Sequence, residues 1–364
     1  MNTPDSYDAL LIVSFGGPEG PDDVMPFLQN VLRGKNVPNE RMLEVAQHYQ
    51  HFGGVSPINH QCRELIKAVN AELKINGPDL PIYWGNRNWH PMLADTIRQM
   101  KEDGVQRVLA FTTSAYSSYS GCRQYREDIE QARAEVGEGA PHVDKLRVFY
   151  NHPGFVEAMA ERVQDALARI PEQRRETTQL VYTAHSIPTA MVDGCDYVAQ
   201  LNEASRLVTE CLRLRVGEFN SKLVYQSRSG PPNQPWLEPD ICDYLTEVYT
   251  RGDFSDVVIV PIGFISDHME VLFDLDTEAR KLCDQLGLNM VRAKSVGTHP
   301  KFIKMIRELI SERISGTERR SLGPSHDACP KDCCLSGRVA HRPMETAEVD
   351  SLSAKPACPS PTHS

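Results

Sequence analysis

The chain alternates between short, nearly unbroken apolar runs and longer segments of helical periodicity. The runs at 8–15 (DALLIVSF), 82–85, 107–113 (RVLAFTT), 146–150, 180–184 (LVYTA), 222–226 and 257–264 (VVIVPIGF) are rich in β-branched and aromatic residues and predict strands. Because they are continuous rather than alternating, they predict parallel strands covered on both faces by helices. Apolar positions at helical spacing predict those helices over 57–73, 92–102, 154–170, 197–214 and 301–314. Strand alternating with helix implies an α/β fold with right-handed crossovers, and the pattern runs twice, restarting near Gln179.

In such sheets, ligands gather beyond the carboxyl ends of the strands. The first run ends in Ser14-Phe15-Gly16-Gly17-Pro18, and the third leads into a Ser-rich stretch from Ser114 to Cys122. The first run of the second half ends Thr183-Ala184-His185-Ser186-Ile187-Pro188. Later runs lead into Gln226-Ser227-Arg228-Ser229-Gly230 and into the stretch from Gly263 to Glu270.

A length of 364 residues suits two domains of ordinary size, and 40% hydrophobic content is ample for packed cores. The net charge of −10 and pI near 5.7 argue against a nucleic-acid partner, since such a surface must offset phosphate charge. No apolar run approaches the roughly 18 residues that would span a bilayer. The opening Met1-Asn2-Thr3-Pro4-Asp5 lacks the basic and apolar regions of a secretory signal. A soluble, cytoplasmic protein is therefore expected. Beyond about Ser315 the composition turns to Ser, Pro, Thr and charge, which marks an extension at 316–364; the remainder divides as 1–160 and 161–315.

His185 falls where a strand gives way to a loop, a position that exposes a side chain to a cleft. A lone histidine there is more often a turn cap than a catalyst. The second half weighs against that reading, because Glu270, Asp274 and Glu278 recur every four residues just after another strand. On an ordinary helix each step of four drifts by about 40°, and a locally underwound, π-like turn would align the carboxylates more closely. Like charges at this spacing destabilise an exposed helix, so the row is better explained by cations or protons passing along it. If His185 and Glu270 meet across one cleft, they form a nitrogen–oxygen pair suited to a divalent metal and to proton transfer. Neither Gly16-Gly17 nor Gly53-Gly54 extends to a dinucleotide or P-loop fingerprint, and no G-x-S-x-G elbow appears.

Of ten cysteines, Cys329, Cys333, Cys334 and Cys358 crowd the end of the chain, while the others are scattered. Three thiols on the Pro-punctuated loop Cys329-Pro330-Lys331-Asp332-Cys333-Cys334 suit zinc or an iron–sulfur cluster, and His326 nearby keeps zinc open. The bland alternative is a tail with incidental cysteines.

Five separated motifs, LIVSFGGPEGP, FGGVSPI, TAHSIP, YQSRSGPPNQPWLEP and PIGFISDHMEVLFDLD, together resemble ferrochelatase over roughly residues 7–315. The resemblance implies two similar Rossmann-like, chelatase-type domains, each a parallel sheet flanked by helices, with a porphyrin cleft between them. It implies a lyase that inserts ferrous iron into a porphyrin in haem biosynthesis, with loss of two pyrrole protons. His185 matches the family's active-site histidine, as iron ligand or proton acceptor, and Glu270 the glutamate facing it. Asp274 and Glu278 match an acidic path leading away. Ser56 and Tyr125 match positions that hold porphyrin substituents, and Arg33 a basic residue able to pair with a propionate. Phe15 falls where some members carry an iron-ligating tyrosine; phenylalanine can only stack on the macrocycle. Coproporphyrin III is favoured over protoporphyrin IX from the context of Phe15 and Tyr125. Some members also hold a [2Fe–2S] cluster, and Cys122, Cys329, Cys333 and Cys334 resemble its ligands, with Cys358 as a substitute for one of the last three. A non-catalytic tetrapyrrole carrier and a cobalt or nickel chelatase of the same fold are the rival readings; a carrier has no need of the carboxylate row.

Overall fold

The structure, a computed structural model, describes residues 6–34, 37–231, 233–252, 254–330 and 332–336. Two four-stranded parallel sheets form its frame. The first holds β1 (Ala9–Ser14), β2 (Ile82–Asn86), β3 (Arg107–Thr112) and β4 (His142–Lys145) in the order β2-β1-β3-β4. The second holds β5 (Gln179–His185), β6 (Ser221–Gln226), β7 (Asp256–Val260) and β8 (Asn289–Arg292) in the order β6-β5-β7-β8. The expected α/β fold is present in each half, and β5 begins at Gln179.

The unbroken apolar runs have a simple cause. Successive side chains of a strand point to opposite faces, and both faces of each central strand are buried. In β1, Leu10 and Ile12 enter a core shared by the two halves, while Ala9, Leu11 and Val13 enter a second core on the outer face. In β5, Leu180, Tyr182 and Ala184 enter the shared core and Val181 faces outward. Four helices, Ile58–Asn76, Pro153–Leu167, Tyr197–Arg213 and Pro300–Ser315, pack against these strands in the shared core. Truncating a fully buried Leu or Ile there to Ala is worth about 2–5 kcal/mol.

Two expectations shift. The run at 146–150 is not a strand: β4 lies just before it, and Leu146, Val148 and Phe149 are buried in irregular backbone, Leu146 and Phe149 in the shared core. The run at 257–264 ends as a strand at Val260, because Pro261 has no N–H for the ladder. The 160/161 division falls inside helix Pro153–Leu167, and Pro300–Ser315 packs on Ile58–Asn76 of the first half.

The described part of the extension folds back on the first half. Arg147 is buried and holds Glu312 through two bonds of 2.8 and 3.0 Å, and also donates to the Arg320 carbonyl at 3.0 Å and to Ser325 Oγ at 3.2 Å. Asn151 accepts from the Leu322 N–H at 2.8 Å and donates to the Pro324 carbonyl at 3.0 Å. Among the described residues, no helix is long and apolar enough to cross a membrane.

Candidate active site

His185 is the last residue of β5 and lies beside Gln226, the last of β6. The loop after β7 reaches this point because Gly263 has no side chain: a Cβ there would sit 2.6 Å from Ala184 Cβ. That loop carries Glu270 to within 3.6 Å of His185, Oε1 to Nε2. The other ring nitrogen, Nδ1, meets the Ser186 carbonyl, and so carries a proton. The two side chains keep 32% and 42% of their surface open, so the pair is accessible to solvent rather than sealed in a core.

The electrostatics of the pair are those of an imidazolium–carboxylate. Burial works against the charged imidazole, but the Glu270 charge and hydrogen bond outweigh it and push His185 up to about 9. Burial likewise opposes ionisation of Glu270, yet the His185 charge holds it down to about 2. The His268 ring accepts from the Glu270 N–H at 3.3 Å, and Tyr197 donates its hydroxyl to the His185 carbonyl at 3.0 Å.

Glu270 caps a π-helix, Val271–Ala279, whose wider turn is the underwound geometry that the four-residue spacing called for. Asp274 accepts from Gln226 Nε2 at 3.2 Å and from Ser227 Oγ. Burial, and then the charges of Glu270 and Glu278, push its carboxyl up to about 7 against the Ser227 bond. Glu278 is raised by burial and by Asp240. Gln226 also donates to the Glu270 carbonyl at 3.1 Å. Ser227 adopts φ 62°, a left-handed conformation disfavoured for serine and held by its bond to Asp274. Sequence reasoning assigned no role to Gln226, Ser227, His268 or Tyr197. The signal for the first two was their place at the end of a strand, where ligands gather.

The first half supplies a helical lip. Helices Val24–Val31 and Asn39–His51 enclose a small apolar cluster with Phe15 and Trp89 packed against it. Phe15 meets Phe27 edge-on at 6.2 Å, and His48 stacks on Phe273 of the π-helix at 3.8 Å between ring centres. Ser56 is buried beside Pro18, whose carbonyl takes its N–H at 2.8 Å. The turn before it needs Gly54: its φ is 76°, and a Cβ would lie 2.4 Å from Pro21 Cα. Arg33 is exposed just beyond the first lip helix and bonds Asn30 at 2.6 Å. Tyr125 is buried in the outer core, with the Arg87 guanidinium 4.4 Å from its ring centre. The structure thus joins His185 and Glu270 directly, links Asp274 to Glu270 through Gln226, and places Phe15, Arg33, Ser56 and Tyr125 on the first half.

Cys122 sits on a short π-turn, Tyr119–Arg123, and the extension brings its thiols to it. Cys329 and Cys334 lie close enough to Cys122 to hold its thiol well below the usual range against the effect of burial. Cys333 and Cys334 sulfurs are 3.2 Å apart, His326 Nε2 is 3.3 Å from Cys329 Sγ, and Arg123 donates to the Cys333 carbonyl at 3.0 Å. Cys122, Cys329, Cys333 and Cys334 are therefore gathered; Cys358 lies outside the described residues. Among the described residues no three His, Cys, Asp or Glu side chains are arranged to hold a single metal ion. Four cysteine thiols are the ligand number of an iron–sulfur cluster.

Two parallel sheets with functional groups at their carboxyl ends are an arrangement this chain shares with solved chelatases. SirB of Bacillus subtilis, a sirohydrochlorin chelatase solved with Fe3+, shares this fold at a TM-score of 0.52 and 11% identity, covering 87% of this chain and 100% of its own. The ferrochelatase family model matches residues 7–314. A ferrochelatase of Rhodopirellula baltica is 60% identical over 90% of this chain and 93% of its own. A coproporphyrin III ferrochelatase of Streptomyces griseus is 50% identical over 92% and 95%. The chain belongs to the ferrochelatase family, whose reaction inserts ferrous iron into a porphyrin for haem synthesis.

Proposed function

We propose that this protein is a cytoplasmic lyase that inserts Fe(II) into coproporphyrin III, with His185 and Glu270 at the ring centre. The observation that carries this reading is the 3.6 Å, solvent-accessible His185–Glu270 pair, followed along the π-helix by Asp274 and Glu278. The preference for coproporphyrin rests on the name borne by relatives 45–50% identical to this chain.

A flat porphyrin presents its nitrogen lone pairs in the ring plane, where incoming iron meets them poorly. A cleft that bends the ring tips them outward, and contacts to the rest of the macrocycle must sustain that distortion. Phe15 on the lip, with Ser56, Tyr125 and Arg33, would supply those contacts, Arg33 through a propionate. His185 begins as an imidazolium beside Glu270. A dication arriving at Glu270 repels that proton, which frees Nε2 to ligate iron or to take a pyrrole proton. Asp274, titrating near neutrality, is the next acceptor, and Glu278 the one beyond. A carrier would have no use for this row.

The gathered thiols of Cys122, Cys329, Cys333 and Cys334 would hold a [2Fe–2S] cluster, which when bound would cross-link the extension to the first half. No residue of this set touches His185 or Glu270, which fits a structural role. We divide the chain into units of 1–160 and 161–315 with the extension 316–364, the helix Pro153–Leu167 bridging the first two.

Anaerobic mixing of the protein with Fe(II) and coproporphyrin III tests the function, since metallation quenches free-base fluorescence. Quenching that follows turnover is the expected result. Stoichiometric binding without metallation would overturn it.

A further inference from the structure

Glu270 lies at the N-terminal cap of the π-helix and Asp274 within it, so both depend on how that short helix is seated. Something must fix the segment that bears them. The side chain best placed to do so is Arg292, at the end of β8, whose own side chain is only 14% exposed. Its guanidinium takes Asp276 with both arms, Nε to Oδ1 at 2.6 Å and Nη2 to Oδ2 at 2.8 Å. The remaining nitrogen, Nη1, reaches Asp267 Oδ1 at 3.1 Å and the Ala293 carbonyl at 3.2 Å.

Asp267 and Asp276 lie on either side of Glu270 and Asp274 in the chain. One rigid, planar fork therefore ties together both ends of the segment that carries the reactive carboxylates. Asp267 is also gripped from the other half of the molecule. Gln61, on helix Ile58–Asn76, donates to its carbonyl at 2.8 Å and accepts from its N–H at 2.9 Å. The Ser295 N–H bonds Asp267 Oδ1 at 3.4 Å. The segment is thus braced against β8 and against the first half, whose lip would hold the porphyrin.

We propose that Arg292 is a positioning residue for metal insertion: by clamping Asp267 and Asp276, it fixes Glu270 and Asp274 relative to His185, with Gln61 setting the same loop against the first half. This rests on the proposed function in one respect, that insertion takes place at His185 and Glu270. Lysine cannot replace this arginine, because an ammonium on a flexible stem cannot engage two carboxylates in the fixed geometry of the fork.

The test compares Arg292→Lys, Arg292→Met and Asp276→Asn in the full chain, by steady-state kinetics, porphyrin binding and amide hydrogen exchange. Arg292→Lys, which keeps the charge, should lower kcat at least tenfold with the porphyrin dissociation constant changed less than twofold. Amide exchange should accelerate across residues 266–279 and stay as in the wild type across β5 and the lip helices. Asp276→Asn should reproduce both changes, and Asp276→Glu should restore part of the lost kcat. Wild-type exchange over 266–279 in both Arg292 variants would overturn the clamp, as would a kcat loss matched by an equal loss of folded protein. Absence of iron insertion by the wild type, with the exchange result as expected, would instead overturn the functional reading and leave the clamp standing.

Discussion

The two halves share one topology, yet the same point in each does different work. After β3 the chain runs into the π-turn Tyr119–Arg123, and after β7 into the π-helix Val271–Ala279. In the first half this widened turn presents one thiol, Cys122, buried against the extension. In the second it presents Glu270, Asp274 and Glu278 in a row, beside His185. The equivalent strand to β5 in the first half, β1, ends in Ser14 and Phe15 where β5 ends in His185. A shared backbone plan therefore fixes where functional groups are displayed, and the side chains at a handful of strand ends decide what each half does. One half carries an apolar lip and the contact with the extension, the other the row of charge.

The sharpest way to break this contrast is at His185. His185→Ala should lower turnover about a thousandfold or more, since one proton-transferring group contributes roughly 10²–10⁴, while porphyrin affinity stays within about twofold. Fluorescence-monitored metallation beside equilibrium porphyrin titration checks both; retained turnover would end the assignment. Asp274→Asn comes next. A carboxyl near 7 accepts a proton only when ionised, so wild-type kcat should rise with pH through about 7. The variant should show about a tenfold lower kcat at pH 8 and no rise in that window, which a pH–rate profile reads directly.

The first half is tested through Cys122→Ser. It should bleach any visible absorbance of the purified protein, release the extension to protease and lower stability by about 2 kcal/mol, with kcat changed by less than threefold. A colourless wild type containing zinc would remove the iron–sulfur assignment. The smallest effect is thermodynamic. Asp274 binds a proton more tightly folded than unfolded, so the folded state loses stability as pH rises from about 4 through about 7. Asp274→Asn should therefore be more stable than the wild type at pH 8, by on the order of 2 kcal/mol, with the gain vanishing near pH 4. Urea unfolding at the two pH values decides this.

The central strands β1, β3, β5 and β7 bury both faces and so read as unbroken apolar runs, and the edge strands β2 and β6 are legible as well, at 82–85 and 222–226. The other two edge strands, β4 and β8, are harder. His142–Lys145 is largely polar because an edge strand half faces solvent, and attention passed to the more apolar 146–150, which is buried in loop backbone. Asn289–Arg292 is only four residues and was missed for the same reason. The acidic spacing announced a π-type turn, since no regular α-helix gathers residues four apart into a straight row. Gln226 and Ser227 are legible as strand-end residues, but their role is not, because it is to contact a carboxylate more than forty positions away.

What the sequence determined by itself is local and periodic: the α/β class, its repetition from Gln179, the strand-end position of His185, the four-residue spacing of Glu270, Asp274 and Glu278, and the clustering of cysteines in the extension. These follow from backbone geometry and solvent exclusion acting over a few neighbouring residues. Only the tertiary structure decided which distant groups meet. It set His185 3.6 Å from Glu270, folded Cys329 and Cys334 onto Cys122, and put Arg292 between Asp267 and Asp276. Those pairings depend on how two sheets and the helices between them close over a common core, and so on the packing of the whole chain at once.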